Sequence, residues 1–195
     1  MSKSMSVSVT ALLMAGGLSR RMGRDKATLI VAGEPLWARQ LRLLRELESE
    51  AIWISARARP EWRPEEVEVI LDEPPSRGPL SGVAAALARL QTSHLLALAI
   101  DLPRITSAHL RKLQARAVVG CGVVPFNGDR FEPLCAIYPK EAAAVASERL
   151  QRNDVSLQGL VSTLAAKKLV RAYSVEAIEK ELYLNVNTLQ DLEGV

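Results

Sequence analysis

The feature that most constrains the fold is a repeated alternation of short, continuous apolar segments with longer segments of helical periodicity. The apolar segments read as buried strands and the others as helices, with Ser81 placed to cap the second helix. Continuous apolar strands separated by helices indicate a parallel sheet covered on both faces. The pattern therefore predicts an α/β, doubly wound, mostly parallel Rossmann-like sheet over residues 7–125. The segments are 9–15, 51–56, 67–71 and 94–100 for strands and 35–50, 80–91 and 107–117 for helices.

The C-terminal third of the chain changes character. Residues 118–126 and 130–138 read as two strands joined by a tight turn at Asn127-Gly128-Asp129, which predicts an antiparallel elaboration of the first sheet. Two helical segments, a strand and a closing segment follow, at 141–151, 155–166, 168–173 and 183–193. Because no low-complexity linker or internal repeat interrupts the chain, we expect one domain over residues 1–195.

Composition narrows the class of ligand. The 195 residues carry a formal charge of +3, which suits nucleic acid or small phosphorylated ligands equally well. Aromatic residues make up only 4%, whereas proteins that bind single-stranded nucleic acid usually stack bases on aromatic side chains. An RNA-binding protein is therefore the least favoured alternative, and we expect no nucleic-acid partner.

Cysteine and histidine usage argues against a zinc enzyme. Cys121 and Cys135 are too few and too far apart for a metal knuckle, and His94 and His109 lack metal-ligand spacing. We expect both cysteines to pack as small apolar residues. The apolar run before Gly16 is too short for a signal-peptide core, and no run approaches the roughly 20 apolar residues of a membrane span. We therefore expect a soluble, cytoplasmic protein without a membrane partner.

The segment Met14–Leu29, "MAGGLSRRMGRDKATL", predicts a phosphate-binding loop. Two glycines after a strand let the backbone approach a ligand and free several N–H groups, which bind anions. It matches neither G-x-x-x-x-G-K-[ST] nor G-x-G-x-x-G, so it is a phosphate loop of another kind. We expect at least one of its arginines to contact phosphate. The basic residues are Arg20, Arg21, Arg24 and Lys26.

This segment resembles the signature of nucleotidyltransferases that load a nucleotide onto the molybdenum cofactor. Further motifs of that family follow in its order: "GPLSG", "IDLP", "EPLCAIY" and "NVNTLQDL". The A-G-G and G-R-D-K forms resemble the guanylyltransferases of the family, whereas the cytidylyltransferase relatives more often show A-A-G. Met14 stands where the family usually has leucine, and Ser55 where some members have asparagine.

The resemblance implies roles for individual residues. Lys26, Arg21 and Asp101 would be catalytic, and Asp101 would hold Mg²⁺ as a carboxylate at a strand end. Asp72 would lie near the guanine or ribose. Each residue also has a plainer interpretation. Asp72 and Asp101 could be turn residues and Lys26 a solvated lysine. The segment around Asn185 and Asn187 could begin the last helix through a Thr188–Asp191 capping box. The residues expected to bind the nucleotide or acceptor are Met14, Ala15, Gly16, Gly17, Lys26, Ser55, Asp72, Gly78, Gly82, Asp101, Asn185 and Asn187.

The implied reaction is transfer of GMP from GTP to molybdenum-loaded molybdopterin, with release of pyrophosphate. Residues 7–125 would bind the nucleotide and residues 126–195 would serve the acceptor side of one nucleotidyltransferase domain. Molybdoenzyme apoproteins and a GTP-binding accessory protein would be the candidate protein partners. Three alternatives stay open: a molybdenum cofactor cytidylyltransferase, a sugar-phosphate nucleotidyltransferase of the same fold, and a non-catalytic carrier of GTP or molybdopterin.

Overall fold

A computed structural model describes residues 7–16, 25–72, 77–186 and 191. This part of the chain forms nine strands and five α-helices. The 3-10 helices are Lys26–Thr28 and Ala177–Tyr183. The strands are β1 (Val9–Met14), β2 (Ile30–Val31), β3 (Glu34–Pro35), β4 (Ala51–Ala56), β5 (Glu68–Leu71), β6 (His94–Ala99), β7 (Gly122–Phe126), β8 (Cys135–Pro139) and β9 (Val170–Ser174). The α-helices are α1 (Leu36–Arg45), α2 (Pro79–Arg89), α3 (Ser107–Gln114), α4 (Ala142–Gln151) and α5 (Leu157–Ala166).

Seven of the strands form one sheet in the order β5-β4-β1-β6-β8-β7-β9. Strand β8 is antiparallel to both of its neighbours, and the other pairs are parallel. The predicted α/β fold with an antiparallel elaboration is thereby confirmed. The chain moves from β1 outward to β4 and β5, then returns to place β6 on the other side of β1. The strand order therefore reverses between β1 and β6, which is where open α/β sheets bind ligands.

Two apolar cores cover the two faces of the sheet. Alternate residues of β1 face opposite sides, so Leu13 packs with α1 and α3, and Leu12 packs with α2, α4 and α5. Cys135 of β8 is buried, as expected for a small apolar residue, and Cys121 is half-buried just before β7. No helix among the described residues is long and apolar enough to cross a membrane.

Three local predictions need correction. The strand predicted from residue 130 begins only at Cys135, because the Cys135 N–H donates to the Glu132 carbonyl in a turn and Pro133 has no N–H for a ladder. The 3-10 helix Ala177–Tyr183 lies in a stretch for which no helix was predicted. Ser81 is not the cap of α2, since Gly78 occupies that position and the Ser81 Oγ instead accepts from the Arg77 N–H.

Candidate active site

A cavity of about 270 Å³ opens at the carboxyl ends of β1, β4 and β6, beside the first turn of α2. It lies where the strand order reverses, the expected position for a ligand of this fold. Most of the residues predicted from the sequence to bind the nucleotide line it. The lining residues are Met14, Ala15, Gly16, Asp25, Lys26, Ser55, Arg57, Asp72, Gly78, Pro79, Ala99, Ile100, Asp101 and Leu134.

Backbone hydrogen bonds hold the ends of these strands in one rigid edge. The Ala15 N–H donates to the Ser55 carbonyl at 2.9 Å, and the Ile100 N–H donates to the Met14 carbonyl at 3.2 Å. The Asp72 N–H in turn donates to the Ala56 carbonyl at 3.2 Å. Segments far apart in sequence therefore converge on one floor before any ligand arrives, which limits the reorganisation that binding requires.

Lys26 is held in place by the residue before it. The Asp25 side chain caps the short 3-10 helix by accepting from the Ala27 N–H at 3.0 Å, and it also accepts from the Trp62 indole N–H at 2.8 Å. Trp62 stacks on Trp37 of α1, with ring centroids 5.7 Å apart. The aspartate of the G-R-D-K motif, Asp25, thus orients the loop that carries Lys26. Trp62 supports Asp25, and nothing in the sequence pattern had pointed to that contact.

Lys26 and Asp101 meet inside the cavity. The Lys26 Nζ lies 3.4 Å from the Asp101 Oδ2, and both side chains are largely shielded, with exposed fractions of 19% and 23%. The ammonium offers a positive charge to an anion, and the carboxylate offers oxygen of the kind that divalent cations bind. The pair joins residues that five strands, β2 to β6, separate in the chain.

The loop that carries Asp101 is held by two neighbouring residues of α1 that sequence reasoning missed. The Gln40 amide donates to the Leu102 carbonyl at 2.8 Å and, more weakly, to the Ile100 carbonyl at 3.5 Å. Arg39 Nε donates to the Pro103 carbonyl at 2.8 Å. Gln40 is fully buried, and among the described residues its Oε1 has no hydrogen-bond partner. The helix therefore fixes the backbone on both sides of Asp101.

Ser55, Asp72 and Gly82 pack against one another on the opposite wall. The Ser55 hydroxyl donates to the Asp72 Oδ1 at 3.3 Å, and both residues are buried. A Cβ at Gly82 would lie 2.1 Å from the Ser55 Oγ and 3.1 Å from the Asp72 Oδ1. Glycine at this position of α2 therefore lets the helix approach the two polar side chains closely.

Gly78 begins α2 in a backbone conformation that other residues rarely adopt, with φ of +89°. Pro79 follows as the first helical residue, where its missing N–H costs no hydrogen bond. This turn brings the start of α2 to the cavity. The "GPLSG" motif is thus both a helix entry and part of the cavity wall.

A second cavity, of about 240 Å³, adjoins the first. Both cavities are lined by Ala99, Asp101 and Leu134, so they adjoin along these three residues. Asn185 lines the second cavity and not the first. The next residue, Val186, donates its N–H to the Asp101 carbonyl at 3.0 Å. The C-terminal segment therefore reaches the same loop as α1.

A buried polar cluster anchors that C-terminal segment. Tyr183 lies 2.6 Å from the His109 Nε2, and Glu179 accepts from Tyr173 at 2.6 Å and from Lys112 at 2.6 Å. Burial raises the pKa of Glu179, but the hydrogen bonds from Lys112 and Tyr173 outweigh it and lower the pKa to about 2. Burial lowers the pKa of His109. The two histidines are thus buried in the fold, and no group of three metal-ligating side chains occurs in the described ranges.

Several predicted site residues lie outside the described residues: Gly17, Arg20, Arg21, Arg24, Asn187 and the Thr188 of the predicted capping box. Their roles stay predictions. Conversely, Arg57 lines the first cavity although nothing in the sequence singled it out. It directly follows β4, and its exposed guanidinium adds a positive charge at the cavity on the same edge as Ser55.

Comparisons with known proteins agree with this geometry. A family model described as the MobA-like NTP transferase domain matches residues 11–171. A probable molybdenum cofactor guanylyltransferase from Opitutus terrae is 40% identical over 193 residues, covering 96% of each chain. One from Synechococcus elongatus is 29% identical, covering 95% of this chain and 96% of its own.

Among solved structures, the molybdopterin-guanine dinucleotide biosynthesis protein A from Archaeoglobus fulgidus superposes with a TM-score of 0.72 at 23% identity. The match covers 95% of both chains. The structural similarity supports the fold, and the family match supports the type of reaction. The chain belongs to the MobA-like NTP transferase family and is an enzyme of the nucleotidyltransferase class.

Proposed function

We propose that this enzyme transfers GMP from GTP to molybdenum-loaded molybdopterin, giving the dinucleotide form of the cofactor and pyrophosphate. The observation that carries the proposal is the meeting of Lys26 and Asp101 at the point where two adjoining cavities join. Donor and acceptor are both anionic, so their reacting phosphates need a shared site of compensating charge. The names of the relatives, which are guanylyltransferases of the molybdenum cofactor, support the choice of substrates.

Lys26 would bind the phosphates of GTP as a point charge. Its Nζ is already directed to the Asp101 carboxylate at 3.4 Å, so the ammonium is placed at the edge of the sheet before the nucleotide arrives. Holding the charge there in advance stabilises the pentavalent transition state without reorganisation. Arg57 and the arginines of the Met14–Leu29 segment would add further positive charge.

Asp101 would hold Mg²⁺. A single carboxylate fits this ion, because Mg²⁺ is usually bound through one or two carboxylates and keeps waters and substrate phosphates as its remaining ligands. When bound, the ion would neutralise charge on the reacting phosphates. Gln40 and Val186 contact the backbone of the Asp101 loop and so would fix where the carboxylate stands.

Asp72 would select guanine. A carboxylate accepts from the N1–H and 2-amino groups of guanine, whereas cytosine presents no such pair of donors. Asp72 is buried, its Oδ1 is 3.3 Å from the Ser55 hydroxyl, and it lines the nucleotide cavity. The Ser55 hydroxyl would orient the carboxylate toward the base.

No general base is needed for the attack. The terminal phosphate of the acceptor is largely ionised near pH 7, so it is already a nucleophile. Catalysis would then consist of in-line positioning and electrostatic stabilisation. This agrees with the placement of His94 and His109, which are buried and absent from the lining of both cavities.

The test is pyrophosphate release from GTP and, in parallel, from CTP, with Mg²⁺ and molybdenum-loaded molybdopterin. Release that requires GTP and the acceptor supports the proposal. Release with CTP alone would make the enzyme a cytidylyltransferase, and release with a sugar phosphate as the better acceptor would make it a sugar-phosphate nucleotidyltransferase. Nucleotide binding without any release would support the carrier alternative and refute the proposal.

A further inference from the structure

The second cavity has the chemistry of a site for a flat heterocycle. Its wall is largely apolar, and Phe131 supplies an aromatic ring that lies 5.1 Å from the ring of Phe126. Gln158 holds the Phe131 backbone at two points, accepting from its N–H at 3.2 Å and donating to its carbonyl at 2.8 Å. The ring is therefore carried on a fixed backbone, as a stacking surface requires.

Besides Asp101 at the junction of the two cavities, one further acidic residue, Glu132, lines the second cavity. Glu132 has a side-chain exposure of 13%, and its Oε1 accepts from the Asn127 amide at 2.5 Å. Burial raises the pKa of Glu132, and the nearby Arg130 guanidinium opposes that rise. The side chain lines the cavity, and its contacts with Asn127 and Arg130 both involve Oε1, so Oε2 is the oxygen open to a ligand. A partly buried carboxylate oxygen of this kind gains from donors that a ligand supplies.

We propose that Glu132 is the specificity-determining residue of the acceptor side, and that it selects an acceptor with two adjacent N–H donors, such as the aminopyrimidinone edge of a pterin. The inference rests on the proposed function, since it describes how the acceptor of that reaction is chosen. A pterin presents a ring N–H beside an exocyclic amino group, a pattern that a carboxylate matches. A sugar phosphate offers only hydroxyl groups and no such edge.

The place of the cavity agrees with this assignment. The second cavity meets the nucleotide cavity at Asp101, so a heterocycle held near Glu132 and Phe131 can direct its phosphate toward that junction. Arg130 lies on the same segment, with its Nε 3.6 Å from the Glu132 Oε1 and 65% of its side chain exposed. Its charge favours an anionic ligand at the mouth of the cavity.

The experiment compares Glu132→Gln with the wild-type enzyme. Glutamine has nearly the same shape and keeps an oxygen for the Asn127 amide, but it places an amide donor where the carboxylate had an acceptor. The probe is neopterin monophosphate, whose binding is followed by quenching of pterin fluorescence, with GTP affinity measured separately. We expect pterin affinity to fall about 10- to 100-fold while GTP affinity stays within about twofold.

Glu141→Gln is the matched control. Glu141 is exposed at the start of α4 and does not line the second cavity, yet its substitution changes the net charge equally. Removing a negative charge should by itself favour an anionic ligand, so a loss confined to Glu132→Gln reports a specific contact. In Glu132→Gln the KM for molybdenum-loaded molybdopterin should rise, with kcat for GMP transfer less affected.

Two results would overturn the inference: equal pterin affinity in wild type and Glu132→Gln, or a parallel loss of GTP affinity and thermal stability, which would make Glu132 a structural residue of the turn. These failures differ from a failure of the proposed function. An enzyme that binds the pterin through Glu132 but releases no pyrophosphate from GTP refutes the reaction alone. An enzyme that transfers GMP equally well with either residue refutes the specificity role alone.

Discussion

Replacing Gln40 with leucine should separate catalysis from stability. In the native protein the Gln40 amide nitrogen donates to the Leu102 and Ile100 carbonyls on either side of Asp101. Its other amide atom, Oε1, is buried and has no partner among the described residues. Leucine has a similar volume and removes both polar atoms. The substitution therefore frees the Asp101 loop and at the same time removes an unsatisfied polar atom.

The opposing terms in the free energy of unfolding are similar in size. Loss of the donor removes the 2.8 Å hydrogen bond to the Leu102 carbonyl, which keeps the longer one from the Ile105 N–H, and the weaker contact to the Ile100 carbonyl; this costs about 1–3 kcal/mol. Removal of the buried Oε1 raises the free energy of unfolding by about 1–3 kcal/mol, because no hydrogen bond compensated the desolvation of this atom. The net change should stay within about 2 kcal/mol, which for a chain of this length shifts Tm by about 8 °C at most.

The effect on catalysis should be larger. A displacement of about 1 Å in a group that positions the reacting atoms costs about 100-fold in rate, so we expect kcat/KM for GTP to fall about 10- to 100-fold. Pyrophosphate release gives kcat/KM, and thermal unfolding followed by circular dichroism gives Tm. The apparent Mg²⁺ affinity should weaken as well, since the carboxylate proposed to hold the ion is no longer fixed.

The matched control for Gln40→Leu is Gln91→Leu. Gln91 is exposed beyond α2, where, within the described part of the chain, its amide donates only to the Arg89 carbonyl. This control should change neither kcat/KM nor Tm appreciably. Full activity in Gln40→Leu would refute the positioning role. A fall in activity that only parallels a large fall in Tm would show that Gln40 serves stability instead.

Four further predictions concern the site and the buried cluster around Glu179. Gly82→Ala should lose about 1–3 kcal/mol of stability and much of its GTP affinity, because the new Cβ would stand 2.1 Å from the Ser55 Oγ; unchanged unfolding and GTP titrations would contradict this. Asp101→Ala should remain folded and lose pyrophosphate release; a folded variant with normal turnover would refute the assignment of Asp101 to the metal. Lys26→Ala should weaken GTP binding or lower turnover by about 100-fold or more. The pKa of Glu179 is lowered from 4.5 to about 2, so its contribution to stability is present above pH 4.5 and is lost as the pH falls toward 2. Glu179→Gln should therefore flatten the dependence of the free energy of unfolding on pH between these values. An unchanged dependence would argue against a stabilising role of the buried carboxylate.

Much of the fold follows from local pattern. The apolar alternation located the strands of the sheet and the helices between them, because burial on both faces leaves a continuous apolar run in the sequence. The antiparallel β8 was also foreseen, although its start at Cys135 was not, since the turn that precedes it depends on a hydrogen bond to Glu132. The 3-10 helix Ala177–Tyr183 was missed because the buried contacts of Glu179 with Lys112 and Tyr173, more than its own periodicity, stabilise it.

For the candidate site, too, some residues were predicted from the sequence and others became evident only from the packing. The sequence by itself singled out Asp72 and Asp101 at strand ends and Lys26 in the basic segment after β1, because glycine, charge and proline mark these places and parallel strands bring their ends to one edge. Only the tertiary structure decided what holds those residues. Gln40 lies on α1, distant in the chain from the Asp101 loop that it holds. Glu132, which we propose to select the acceptor, lines a cavity built from several separate segments. A hydrogen bond between remote segments depends on where packing places its two partners, and no local pattern in the sequence records that.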